Sequence, residues 1–106
     1  MIRILLTGAS GFIGRQALSI LQEKGEDIHA VSMQAPPPIS QVRWHRTDLL
    51  EADQRRILIQ DVQPTHVLHF AWIATPGVYW TSPLNERWLD ATVDLLSLCK
   101  AAHVQR

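Results

Sequence analysis

Thr7-Gly8-Ala9-Ser10-Gly11-Phe12-Ile13-Gly14 is the stretch of this chain whose residue types and spacing can do chemistry. The apolar run Ile4-Leu5-Leu6 precedes it, and Arg15 to Leu21 follows with helical periodicity. A strand, a glycine-rich turn and a helix in that order leave unpaired N–H groups at the helix start, backed by the positive end of the helix dipole. That makes an anion site, and the anion it suits is the pyrophosphate of a dinucleotide. Gly8 lets the chain leave the strand in a tight turn. Gly11 lacks a Cβ, so backbone can approach the phosphates, and Gly14 lets the helix pack close to the strand. The competing reading is an ordinary strand-to-helix turn.

The spacing also excludes a nucleoside-triphosphate loop. Such a loop needs four residues between its glycines and then Lys with Ser or Thr, whereas Gly14 is followed by Arg15-Gln16. Gly8 and Gly11 stand three apart rather than two. In this the segment resembles the T-G-x-x-G-[FY]-[IL]-G signature of the extended short-chain dehydrogenase/reductase family, the NAD-dependent epimerase/dehydratase proteins, many of which act on nucleotide sugars. The match is complete over residues 7–14, and weaker echoes run to the end of the chain.

The resemblance carries further residues with it. Asp48-Leu49 matches the pair that the family uses to hold adenine, the carboxylate accepting from the exocyclic amine and the leucine packing on the ring. The other reading of the pair is a helix N-cap region with a buried leucine. His69-Phe70-Ala71-Trp72 matches the family's His-x-Ala-Ala, which places Phe70, Ala71 and Trp72 beside the ribose and pyrophosphate; Trp72 replaces a small residue. His69 itself reads as a satisfied strand histidine, since nothing pairs it with a nucleophile. An NAD-binding chain carries Asp or Glu about 20 residues past the glycines, to bond the ribose 2′-hydroxyl. Here stand Ser32, Met33 and Gln34, so the reading leans from NAD towards NADP, with Arg15 and Arg43 as partners for a 2′-phosphate or as plain surface arginines. Trp88 to Leu96 aligns with the family's Asn-Val-x-Gly-Thr-x-Asn-Leu-Leu only in part: Thr92, Leu95 and Leu96 agree, while Trp88 and Ala91 replace the first asparagine and the glycine. Trp72, Tyr79, Trp80 and Trp88 either line a pocket beside the nicotinamide or serve packing.

Catalysis in the family implies a tyrosine acid/base with a lysine four residues on, because an unperturbed tyrosine has a pKa of about 10 and needs a cation to lower it. Tyr79 is the only tyrosine, and Pro83 stands four residues after it. No residue of the chain is therefore expected to be catalytic. The five histidines show no metal-ligand spacing, and no metal site is expected.

The elements that must hold these residues follow from periodicity and punctuation. Strands are expected at Arg3 to Thr7, Ile28 to Met33, Val42 to Arg46 and Val67 to Ala71, the last apolar enough to be central. A first helix turns Ile13, Ala17, Ile20, Leu21 and Lys24 to one face and stops at Gly25. A polar helix from about Glu51 to Val62 is anchored by Ile57, Leu58 and Val62, and Pro64 ends it. Loops fall at Ala35-Pro36-Pro37-Pro38 and Thr75-Pro76-Gly77. The last helix starts near Ser82-Pro83 and covers the sheet with Trp88, Thr92, Leu95, Leu96, Cys99 and Ala102. Alternating strands and helices make an α/β chain, a Rossmann-type doubly wound parallel sheet. With about four strands of the usual six it is incomplete, and residues 1–106 are expected to be the N-terminal part of an NAD(P)-binding domain without its substrate domain.

Ten basic residues balance ten acidic ones, which argues against nucleic acid or an anionic membrane as partner. No apolar run approaches the ~20 residues of a membrane span, nor is the N-terminus a signal peptide. Cys99, the only cysteine, reads as a buried small hydrophobe, and the protein as cytoplasmic. The expected partners are a dinucleotide, a sugar-type substrate only where a longer chain exists, and a second copy through an open sheet edge. Two functions remain: the cofactor-holding portion of an epimerase, dehydratase or reductase, or a non-catalytic dinucleotide-binding module or truncated remnant.

Overall fold

The computed structural model describes residues 2–9, 12–24, 26–33, 42–71 and 83–105. Strands β1 (Arg3–Thr7), β2 (Asp27–Ser32), β3 (Val42–Arg46) and β4 (His66–His69) alternate with helices α1 (Phe12–Glu23), α2 (Ala52–Val62) and α3 (Leu84–Ala101). All strand pairs are parallel, in the order β3-β2-β1-β4. Leu5 lies level with His29 on β2 and Val67 on β4, and Leu6 with Ala30 and Leu68. This is the Rossmann-like sheet that the alternation predicts, with helices on both faces.

Side chains alternate across a strand, so β1 feeds two cores at once. Leu6 packs with Ala9, Leu18, Ile28 and Ala30 beneath α1. Leu5 packs on the other face with Val31, Leu49, Leu58, Ile59, Val62, Leu95 and Cys99, beneath α2 and α3. Both leucines are wholly buried, each worth roughly 1.5–3 kcal/mol by transfer from water. Burial also raises the Cys99 thiol pKa, as befits a core hydrophobe.

Several expected faces are rotated. Gly14 and Leu18 are buried on α1, with Ala17 and Leu21 half-buried, while Ile13 and Ile20 are 61% and 56% exposed and Lys24 is exposed. Gly14 has to meet the Gly8 turn, and that contact fixes the helix rotation one position from the apolar count. On α2, Ile59 takes the place expected of Ile57, which is exposed. Gln63 ends this helix in the left-handed region at φ 48°, its N–H donating to the Ile59 carbonyl ahead of Pro64. On α3 the buried line is Ala91, Leu95 and Cys99, with Trp88 and Leu98 packed beside it; Leu96, one step round the helix from Leu95, is 69% exposed, and Ala102 is exposed.

Strand β4 is shorter than expected and pairs only with β1 among the described residues. Val67 packs into the α2/α3 core, and Leu68 on the opposite face is 37% exposed; among the described residues β4 is an edge strand. Pro83 occupies the cap position of α3, with no side-chain cap. Gly25, the loops at residues 35–38 and 75–77, and Ser82 lie outside the described residues.

Candidate functional site

The chain runs from β1 through α1 to β2 and β3 on one side of the sheet, and α2 then carries it back to β4 on the other. The carboxyl ends of β1 and β4 therefore flank the point where strand order reverses, the crevice in which open α/β sheets bind ligands. Gly8 and Ala9 leave β1 there, and Phe70 and Ala71 leave β4.

Two glycines are required by contact. Gly8 has φ +66°, and a Cβ on it would stand 2.7 Å from the Ala71 nitrogen and the Phe70 carbonyl carbon. Gly14, in the first turn of α1, lies so close to the Gly8 carbonyl that a Cβ would overlap its oxygen and stand 3.0 Å from Ala9 Cα. The helix start is thereby pressed onto the turn that leaves β1, and the first turn of a helix has N–H groups without intrahelical partners. Ala9 is buried, and Ile13 is exposed at the helix start. Phe12 begins the helix. Ser10, Gly11, Trp72, Tyr79 and Trp80 fall outside the described residues, as does Gln34.

Thr7, wholly buried at the end of β1, closes the other wall. Its Oγ1 accepts from the N–H of Phe70 at 3.0 Å and of Ala71 at 3.2 Å, and lies 2.6 Å from His69 Nδ1. With both N–H groups donating to it, the hydroxyl gives its own proton to Nδ1. His69 is then the neutral tautomer with its proton on Nε2, which donates to Thr92 Oγ1 on α3 at 2.9 Å. Burial lowers the His69 pKa and favours the same neutral form. Both ring nitrogens are satisfied, and the histidine braces the Phe70–Ala71 segment. Phe70 is 41% exposed, and Ala71 is half-buried.

Asp48 and Leu49 sit in the turn between β3 and α2. The N-cap of α2 is Glu51, so Asp48 is not the cap. One Asp48 oxygen accepts from the Leu50 N–H at 3.0 Å, and the Asp48 N–H donates to Gln54 Oε1 at 2.7 Å. The Leu49 side chain, 3% exposed, belongs to the core, so this residue can meet a ligand only through its backbone. At the end of β2, Ser32 is buried and Met33 is 56% exposed; Arg15 and Arg43 are both exposed.

The glycine motif includes Thr7 and the expected α3 stripe includes Thr92, while Gln54 and Arg55 stand out in neither. Arg55 had a signal: with Leu58, Ile59 and Val62 it completes the i, i+3, i+4, i+7 stripe that α2 buries. A charged residue on a core stripe asks for partners. Among the described residues no group of three or more His, Cys, Asp or Glu side chains converges as metal ligands, and no helix is long and apolar enough to cross a membrane.

A family model described as the NAD dependent epimerase/dehydratase family matches residues 4–106. The fold is similar to that of a UDP-glucose 4-epimerase from Thermus thermophilus solved in complex with NAD. That match has TM-score 0.83 and 28% identity, and covers 97% of this chain and 35% of that one. A putative epimerase from Burkholderia cenocepacia matches at TM-score 0.70 and 27% identity over 92% of this chain and 32% of its own. An L-threonine dehydrogenase from Clostridium difficile, at 21% identity and TM-score 0.78, shares the fold over 96% of this chain and 34% of its own. The chain thus spans about a third of the length of these proteins.

Proposed function

The chain belongs to the NAD dependent epimerase/dehydratase family, and from that premise we propose that residues 1–106 hold a nicotinamide dinucleotide across the carboxyl ends of β1 and β4. The supporting observation is steric. Gly8 and Gly14 leave no room for a Cβ between the β1 turn, the α1 start and the Phe70–Ala71 peptide, and backbone in this arrangement offers a pyrophosphate main-chain donors at close range. The residues present fit the group. In this reading the amides from Ala9 through Ser10, Gly11 and Phe12 to Ile13 receive the phosphates. Asp48 takes the adenine amine through its second carboxylate oxygen, and Phe70, Ala71 and Trp72 border the ribose.

When bound, the nicotinamide supplies hydride transfer. The tyrosine–lysine pair that the resemblance implies for catalysis is not found in these 106 residues. The longer relatives include an enzyme that acts on UDP-glucose, and a nucleotide-activated sugar is the substrate class we assign to a protein that carries this portion with a catalytic segment. The neutral end of β2, with Ser32 and Met33 and exposed Arg43 on the neighbouring strand, favours NADP over NAD.

Titration of the purified chain with NADH and NADPH, followed by nicotinamide fluorescence, tests the assignment. Saturable binding with tighter NADPH is the expected result. A folded chain, verified by circular dichroism, that binds neither would refute it, and tighter NADH would overturn the NADP preference alone.

A further inference from the structure

Arg55 is the only charged side chain classed as buried among the described residues, 8% exposed on the core stripe of α2. An apolar side chain there would pack with Leu58, Ile59 and Val62 without the cost of removing a guanidinium from water. The charge has two partners. Nε donates to Asp94 Oδ2 on α3 at 2.8 Å, and Nη1 donates to the Leu49 carbonyl at 2.7 Å. The second bond lies in the turn that carries Asp48. That turn is now held at three consecutive residues: the Asp48 N–H by Gln54, the Leu49 carbonyl by Arg55, and the Leu50 N–H by Asp48 itself. The Leu49 side chain in the core is a fourth anchor. These bonds occupy one Asp48 oxygen and leave the other to a ligand.

We propose that Arg55 is a positioning residue: by gripping the Leu49 carbonyl from below, it sets the Asp48 carboxylate to receive the adenine end of the cofactor. The inference rests on the dinucleotide reading above. A brace between α2 and α3 that merely stabilised the fold would use the Asp94 bond alone. The Leu49 bond is what reaches the site. A guanidinium suits the task because its planar fork is pre-organised to span two acceptors on different elements, which a lysine ammonium on a flexible stem holds less firmly.

The test compares the two ends of the dinucleotide on the full chain. Affinities for adenosine monophosphate and for reduced nicotinamide mononucleotide are measured for the wild type, Arg55→Met and Arg55→Lys, at a temperature where circular dichroism shows each folded. Positioning predicts an adenosine monophosphate affinity about tenfold weaker in Arg55→Met, a smaller loss in Arg55→Lys, and unchanged affinity for the nicotinamide fragment. Amide exchange at Leu50 should quicken in step. Equal losses for both fragments, or none, overturn the proposal and leave the dinucleotide reading standing. A wild type that binds neither fragment overturns this proposal, and the NADH and NADPH titration then decides the dinucleotide reading beneath it. If Arg55→Met does not fold, the fragment selectivity of Arg55→Lys decides.

Discussion

Replacing Gly14 with alanine sets two effects of opposite sign against each other. In a helix interior, alanine is favoured over glycine by about 1 kcal/mol, so propensity alone makes Gly14→Ala stabilising. The contacts say otherwise. The new Cβ would overlap the Gly8 carbonyl oxygen and stand 2.7 Å from the Gly8 carbonyl carbon and 3.0 Å from Ala9 Cα. All three atoms are main chain, so no side chain can swing aside, and α1 must retreat from β1 by on the order of 1 Å. Overpacking of this kind costs about 1–3 kcal/mol, and a backbone obstacle puts it at the upper end. The net expectation is destabilisation by about 2 kcal/mol, a fall in melting temperature of roughly 8–16 °C for a domain of this size. The retreat also carries the helix-start amides away from the phosphates. Losing two charge-assisted hydrogen bonds weakens dinucleotide binding by about a hundredfold or more. Thermal denaturation and an NADPH titration of Gly14→Ala, with Ser19→Ala on the exposed face of the same helix as control, read both quantities. A variant as stable as the wild type or more so, with affinity within about twofold, would show that propensity outweighs contact, and the close-packing argument for the site would fall.

Two further outcomes follow, one from the wall beside β4 and one from the histidines of β2, β3 and β4 together. Thr7→Val keeps the shape of the side chain but removes the oxygen that serves the Ala71 N–H and His69 Nδ1, and should cost about 1–3 kcal/mol in urea denaturation; a loss below about 0.5 kcal/mol would refute the network. Burial lowers the pKa values of His29, His45 and His69, so the unfolded chain binds more protons than the folded one between the folded pKa values and about 6.5. Stability should therefore be fully present above about pH 6.5 and fall as pH drops through that window; a melting temperature that stays flat or rises between about pH 7 and pH 5.5 contradicts the assignment of neutral imidazoles.

The order of elements was legible in the chain, because it depends on local signals. Strand and helix periods, Pro64 as a stop and Gly14 against Gly8 act within a few residues, and β1 and β3 fall where the pattern puts them. Apolar counting failed on which face each helix buries. It grouped Ile13 and Ile20 with the core of α1, where the single contact of Gly14 with Gly8 turned the helix to bury Leu18 instead. It named no partners for the polar residues around the β1 and β4 ends, although Thr7 heads the motif, Thr92 stands on the α3 stripe and His69 reads as a satisfied strand histidine. Thr7, His69 and Thr92 come from three elements, and Arg55 meets Asp94 across 39 positions of sequence. Sequence determined that this chain makes a parallel α/β sheet with a glycine-rich turn at its first strand, since backbone conformation and side-chain period are properties of short segments. Which hydroxyl satisfies which amide, which histidine nitrogen keeps its proton and what pairs a buried arginine were decided only when packing brought distant strands and helices within hydrogen-bonding range, because those energies exist between elements and not within them.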